Sequence, residues 1–154
     1  MSKLEKPRVL LVDDNDGTCT LVTAILQRDF FVEVAGDGLD AVEKLKTNQY
    51  AAILLDLRMP QLDGFGVLEF LQQNAPDVLA RVIVLTAALT ASEIARVKQH
   101  RICAIVAKPF EVESLLDAVR QCVEGGTASL GNVIYSGTGV ILLLADLLRQ
   151  RWML

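Results

Sequence analysis

Ala51-Ala52-Ile53-Leu54-Leu55-Asp56 is an apolar run of five residues closed by a carboxylate. A run this short, apolar on both alternations, suits a strand buried on both faces of a parallel sheet. Four more runs have the same character: Val9–Val12, Phe31–Ala35, Val82–Leu85 and Ala104–Ala107. Helical spacing fills the gaps between them. Leu21, Val22, Ile25 and Leu26 repeat with a helical period, as do Val42 and Leu45, then Val67, Leu68 and Leu71, and finally Leu115, Leu116, Val119 and Val123. The pattern over Ser92–His100 is weaker, with Ile94, Ala95 and Val97 on its apolar side. Five strands alternating with helices predict an α/β fold with right-handed crossovers and helices on both faces. The expected sheet is doubly wound and flavodoxin-like, in the order 2-1-3-4-5, followed by a C-terminal helical extension.

In such sheets ligands sit beyond the carboxyl ends of the strands, so the residues that close the runs carry the functional reading. Asp13 and Asp14 close the first, Asp56 the third, Thr86 the fourth and Lys108 the fifth. Taken singly, each has a plain alternative: Asp13 or Asp14 as a helix cap, Thr86 as an ordinary strand end, Lys108 as a solvated charge. Taken together, three carboxylates at one edge repel one another unless a cation intervenes. Mg2+ accepts a few carboxylates plus water and phosphate oxygens. A lysine and a hydroxyl beside them suit a tetrahedral anion. The combination points to metal-assisted phosphoryl transfer to a carboxylate.

The motifs Val12-Asp13-Asp14, Leu55-Asp56-Leu57-Arg58-Met59-Pro60-Gln61-Leu62-Asp63-Gly64, Leu85-Thr86-Ala87 and Lys108-Pro109-Phe110 resemble those of the receiver domains of two-component response regulators, over residues 6–124. The resemblance implies that Asp56 is the phosphoacceptor, taking phosphate from a sensor histidine kinase, a phosphotransfer protein or a small phosphodonor. It implies Mg2+ held by Asp13, Asp14, Asp56 and the backbone carbonyl of Arg58. Lys108 would pair with phosphoryl oxygens, Thr86 would turn inward to meet one, and Pro109 would follow a cis peptide. Gly64 and Pro60 would shape the loop after the phosphoacceptor. Signalling would then run through phosphorylation-controlled contacts with a downstream protein target, without enzymatic turnover of another substrate. The chain departs from the family pattern at Ile105, where an aromatic residue is common, and at Arg101-Ile102, where Gly-Ala is common. Arg58 and Ala88 occupy positions that vary within the family.

Asp14-Asn15-Asp16-Gly17-Thr18 supports one rival, a haloacid-dehalogenase-type phosphatase with Asp14 as nucleophile and Asp16 as general acid. It leaves the Asp56–Gly64 motif unexplained and lacks an acidic pair after a later strand. His100, the only histidine, has no carboxylate placed to orient it and reads as solvated or helix-terminal.

Composition bounds the remaining choices. With 154 residues, 52% hydrophobic and 22% charged, the chain has the makings of one packed domain. A formal charge of −4 without a Lys/Arg-rich run gives no electrostatic footprint for nucleic acid. Cys19, Cys103 and Cys122 have neither disulfide-framework nor zinc spacing, so they read as buried hydrophobes in a reducing cytoplasm. The polar N-terminus is no signal peptide. Residues 125–154 open with a flexible Gly125-Gly126-Thr127-Ala128-Ser129 linker. They are expected to end in an apolar helix from Val140 to Trp152 that packs on protein (the receiver itself, a second copy in a homodimer, or a partner) and does not cross a membrane.

Overall fold

The computed structural model describes residues 5–87 and 90–125, with the backbone alone of 133–135 and 141–143. Five βα units run along the chain. They are β1 (Arg8–Val12) and α1 (Asp16–Leu26), β2 (Phe31–Ala35) and α2 (Gly38–Thr47), β3 (Ala52–Asp56) and α3 (Gly64–Asn74), β4 (Val82–Thr86) and α4 (Ala91–Lys98), then β5 (Ala104–Ala107) and α5 (Val112–Val123). A 3-10 turn, Pro76–Arg81, precedes β4. The first five strands pair in parallel in the expected order β2-β1-β3-β4-β5.

Burial follows from that order. Every residue of β3 and β4 is buried, as central strands covered on both faces require. One face carries Leu10, Ile53, Leu55 and Val84 against Val67, Leu68 and Leu71 of α3 and Val97 of α4. The other carries Val9, Leu11, Leu54 and Leu85 against Val22 and Leu26 of α1 and Leu115, Ala118 and Val119 of α5. Side chains start four of the helices: Asn15, Asp37, Asp63 and Thr90 each accept a hydrogen bond from a first-turn N–H. Asn15 is thus the cap of α1, and Asp13 and Asp14 are left for other work.

Two expectations are corrected here. The helix expected from Val140 is contradicted at Ile141–Leu143, which forms a strand, β7, antiparallel to β6 (Val133–Tyr135). β6 lies parallel to β5, with Ile105 opposite Ile134 and Val106 opposite Tyr135, so the sheet has seven strands. A run apolar on every side fits a strand as well as a helix, and the open edge of β5 offers unpaired backbone groups. Because α5 packs on the face of α1 while the order advances past β5, the β5–α5–β6 connection is left-handed, the rare hand. No rule of pattern or topology pointed to it. The expectations for residues 126–132, 136–140 and 144–154 lie outside the described residues.

The second correction concerns cysteine. Cys103 and Cys122 are joined by a disulfide, and Cys19 is free. Spacing rules see only close neighbours in sequence, whereas these residues lie 19 apart and meet through the packing of α5 on β5. Among the described residues, no helix is long and apolar enough to cross a membrane.

Candidate functional site

Four strands deliver the predicted residues to one edge. Asp13 follows β1, Asp56 is the last residue of β3, Thr86 is the last of β4, and Lys108 follows β5. β1 and β3 are direct neighbours, with Val12 opposite Leu55, so the carboxylates that follow them lie side by side. One ligand oxygen from each of Asp13, Asp14 and Asp56 falls within 4.8 Å of the others. Asp13 is 1% exposed and Asp56 8% exposed, whereas Asp14 faces solvent.

Each buried carboxylate has defined partners. Asp13 accepts a hydrogen bond from the backbone N–H of Asn15 at 2.9 Å, and its other oxygen receives the Lys108 Nζ at 2.9 Å. Lys108 Nζ also lies 4.0 Å from Asp56, so one ammonium spans two carboxylates. Asp56 accepts from the backbone N–H of Arg58 at 3.2 Å. Burial pushes the Asp56 carboxyl above its ordinary value. The Arg58 N–H and Lys108 pull it back, and the negative charges of Asp13 and Asp14 raise it further. With only one ammonium among three carboxylates, the site is short of positive charge. Hard oxygen donors, two buried and one open to water, fit a small divalent cation that keeps part of its hydration shell.

The backbone around the site is held to close tolerances. Gly64 begins α3 against the phosphoacceptor strand, and a Cβ there would collide with the backbone carbonyl of Asp56. Its N–H donates to the Leu57 carbonyl at 3.1 Å, closing the loop. Within that loop Gln61 has a φ of 64°, uncommon for a residue with a side chain. The Lys108 N–H donates to the Thr86 carbonyl at 2.7 Å, tying the ends of β4 and β5, and the Lys108–Pro109 peptide is cis as expected.

Thr86 is buried one step beyond the level of Asp56, since Asp56 pairs with Leu85. Asp16, the general acid of the phosphatase rival, is instead the exposed first residue of α1. His100 lies far from this edge, with Nδ1 at 3.3 Å from Gln72 Oε1.

Two contacts beside the site were not read from the sequence. The Arg58 guanidinium pairs with Glu93 of α4 at 2.9 Å, and Arg96 stacks on the Phe65 ring at 3.9 Å from its centroid. The first links the loop after β3 to α4, and the second links the first turn of α3 to α4. Glu93 is doubly engaged, since it also accepts from the Thr90 N–H in the capping box that starts α4. That capping box follows the Thr-x-x-Glu pattern and was the one available signal. The ion pair depends on tertiary packing.

Comparison with known proteins agrees with this geometry. Residues 9–120 match the family model of the response regulator receiver domain. Over 121 residues the chain is 31% identical to a Rhizobium etli protein named "Probable chemotaxis protein CheY", covering 77% of this chain and 94% of that one. It is also 32% identical over 121 residues to the transcription factor SKN7 of Chaetomium thermophilum, but spans only 15% of that protein's length. Among solved structures, the Francisella response regulator 1452 receiver domain superposes with a TM-score of 0.69 at 27% identity, covering 79% of this chain and 99% of that one. The Vibrio cholerae chemotaxis protein CheY4 gives a TM-score of 0.70 at 25% identity, covering 76% and 98%. These matches give the phosphatase rival no support.

Proposed function

The chain belongs to the response regulator receiver domain family, and from that premise we propose that it is a phosphorylation switch whose phosphoacceptor is Asp56. The observation that carries this reading is the convergence of Asp13, Asp14 and Asp56 within 4.8 Å at the carboxyl edge, bridged by Lys108. The receiver unit is taken as residues 6–124, with 125–154 as a linker and apolar C-terminal extension.

Asp56 is the nucleophile. One carboxylate oxygen forms a bond to phosphorus as the bond from phosphorus to the donor breaks, and the donor nitrogen of a phosphohistidine leaves as neutral imidazole after taking a proton. Asp13, Asp14, Asp56 and the backbone carbonyl of Arg58 would hold Mg2+, which neutralises charge on the phosphoryl oxygens when bound. Lys108 adds a fixed positive charge at the same oxygens. Its present bond to Asp13 keeps the ammonium within reach of Asp56. Thr86 supplies a hydroxyl one strand away. The partners implied are a sensor histidine kinase or phosphotransfer protein and a downstream protein target. The chain's own chemistry is confined to phosphoryl transfer and hydrolysis at Asp56.

The test is phosphorylation by acetyl phosphate. With Mg2+ the protein should gain one acid-stable, base-labile phosphoryl group; with EDTA it should gain none. Asp56→Asn should abolish labelling and Asp16→Asn should leave it in place. Labelling that survives in Asp56→Asn would transfer the nucleophile's role to Asp14 and sink the proposal.

A further inference from the structure

At the opposite edge of the sheet, below the amino ends of β3, β4 and β5, lies a cleft of about 560 Å³. Its lining includes Tyr50, Asp77, Arg81 and both bonded cysteines. Cys103 immediately precedes β5 and Cys122 is in the last turn of α5. Their Cα atoms are 6.2 Å apart, inside the range that a disulfide spans without backbone movement. Both are nearly buried, at 5% and 7% exposed, yet the cleft reaches them. The receiver chemistry uses neither residue.

The disulfide is not what holds α5 in place. Leu115, Ala118 and Val119 of that helix are buried against β3, β4 and β5 on the face shared with α1. Arg120 adds an ion pair to Asp29 at 3.1 Å. What the disulfide adds is a fixed end. It clamps the last turn of α5 to the root of β5, just before Gly125, whose φ of 72° marks the turn where the chain leaves the helix. Opening it would therefore loosen the stretch from Val119 to Gly125 and the departure of the C-terminal extension, while the sheet and the opposite edge keep their packing.

We infer that Cys103 and Cys122 form a reversible thiol–disulfide site, opened by small thiols or a dithiol protein through the cleft and controlling how firmly the C-terminal extension is rooted. In the opening step a reductant thiolate attacks one cysteine sulfur. The S–S bond breaks, the other cysteine leaves as a thiolate, and a mixed disulfide forms. A second reductant thiolate then resolves it, so the protein gains two electrons and, after protonation, two thiols, while the reductant leaves as its disulfide. The lining carries one charge of each sign, Asp77 and Arg81, so the cleft does not exclude an approaching thiolate by net charge.

The test uses the full chain, equilibrated in buffers of reduced and oxidised glutathione, quenched with acid, alkylated and peptide-mapped. Cys103 and Cys122 should convert together in one two-electron transition within the range that glutathione spans, separately from Cys19. On the reduced side, amide exchange should quicken over Val119–Gly125 and stay unchanged over β1, β3 and β4. Cys103→Ser should show the reduced-state exchange in every buffer. A pair that stays bonded in excess reduced glutathione would be a permanent staple and would overturn the inference. So would a pair that never closes in excess oxidised glutathione, or exchange that is the same in both states.

Discussion

The two edges of this sheet are built on opposite principles. At the carboxyl edge, Asp13 and Asp56 are carboxylates buried beside one ammonium, an arrangement that burial alone opposes and that a cation or phosphoryl group would complete. At the amino edge, partners are already matched: Arg8 pairs with Glu33 at 2.8 Å, Tyr50 donates to Glu33 at 2.9 Å, and Arg81 donates to the Tyr50 carbonyl at 3.2 Å. Burial and the Glu33 partnership push the Tyr50 hydroxyl up to about 12, so it remains a neutral donor throughout the physiological range. An edge with unmet charge responds to a ligand, whereas an edge with satisfied partners changes only if a covalent bond changes.

The sharpest way to break this contrast is at Gly64. A methyl group there must displace the Asp56 backbone, so Gly64→Ala should cost about 3 kcal/mol, seen as a lower midpoint in urea. It should also weaken Mg2+ binding, because the collision is with the metal edge itself. A variant that unfolds at the wild-type midpoint would mean that the loop from Asp56 to Gly64 is looser than the structure shows.

A loss of similar size is expected from Cys122→Ala, about 3 kcal/mol from opening a 19-residue separation. Mg2+ affinity should not move, because this bond lies at the amino edge. If it falls with stability, the two edges are not independent.

Lys108→Ala should cost about 3 kcal/mol in metal-free buffer, because it leaves Asp13 buried without its ammonium. Mg2+ should recover part of that loss, as the cation replaces the missing charge. Recovery by Mg2+ of the Cys122→Ala loss to the same extent would erase the distinction.

Asp56→Asn should act in the other direction. Its folded carboxyl is held above the ordinary value of 3.8, so ionisation costs stability, a cost that appears as pH rises through that raised value and persists to neutrality. The variant should therefore be more stable to unfolding than wild type at pH 7 without metal, by about 1 kcal/mol. The gap should close below the ordinary value, where both states bind the proton. A gap that widens in acid would contradict the sign.

The carboxyl edge was legible in the sequence for a physical reason. A strand buried on both faces tolerates polar residues only where it ends, so Asp13, Asp56, Thr86 and Lys108 declared themselves by position. The α1 cap was obscured because Asp13, Asp14, Asn15 and Asp16 are all capping types, and only geometry selects Asn15. The amino edge was silent, because the Cys103–Cys122 bond joins residues distant in sequence through packing, and the Arg58–Glu93 pair beside the carboxyl edge was hidden for the same reason. Residues Val133–Tyr135 and Ile141–Leu143 misled in a third way. Their apolar content suited either period, and the parallel placement of β6 beside β5 uses the rare crossover hand.

The most direct measurement is site mapping of the phosphoryl group. Wild-type protein, phosphorylated by acetyl phosphate with Mg2+, is treated with borohydride, which reduces the acyl phosphate and marks the residue that carried it. Peptide mass spectrometry should then find the mark at Asp56 alone. A mark at Asp14 or Asp13, with Asp56 unmodified, would contradict the account.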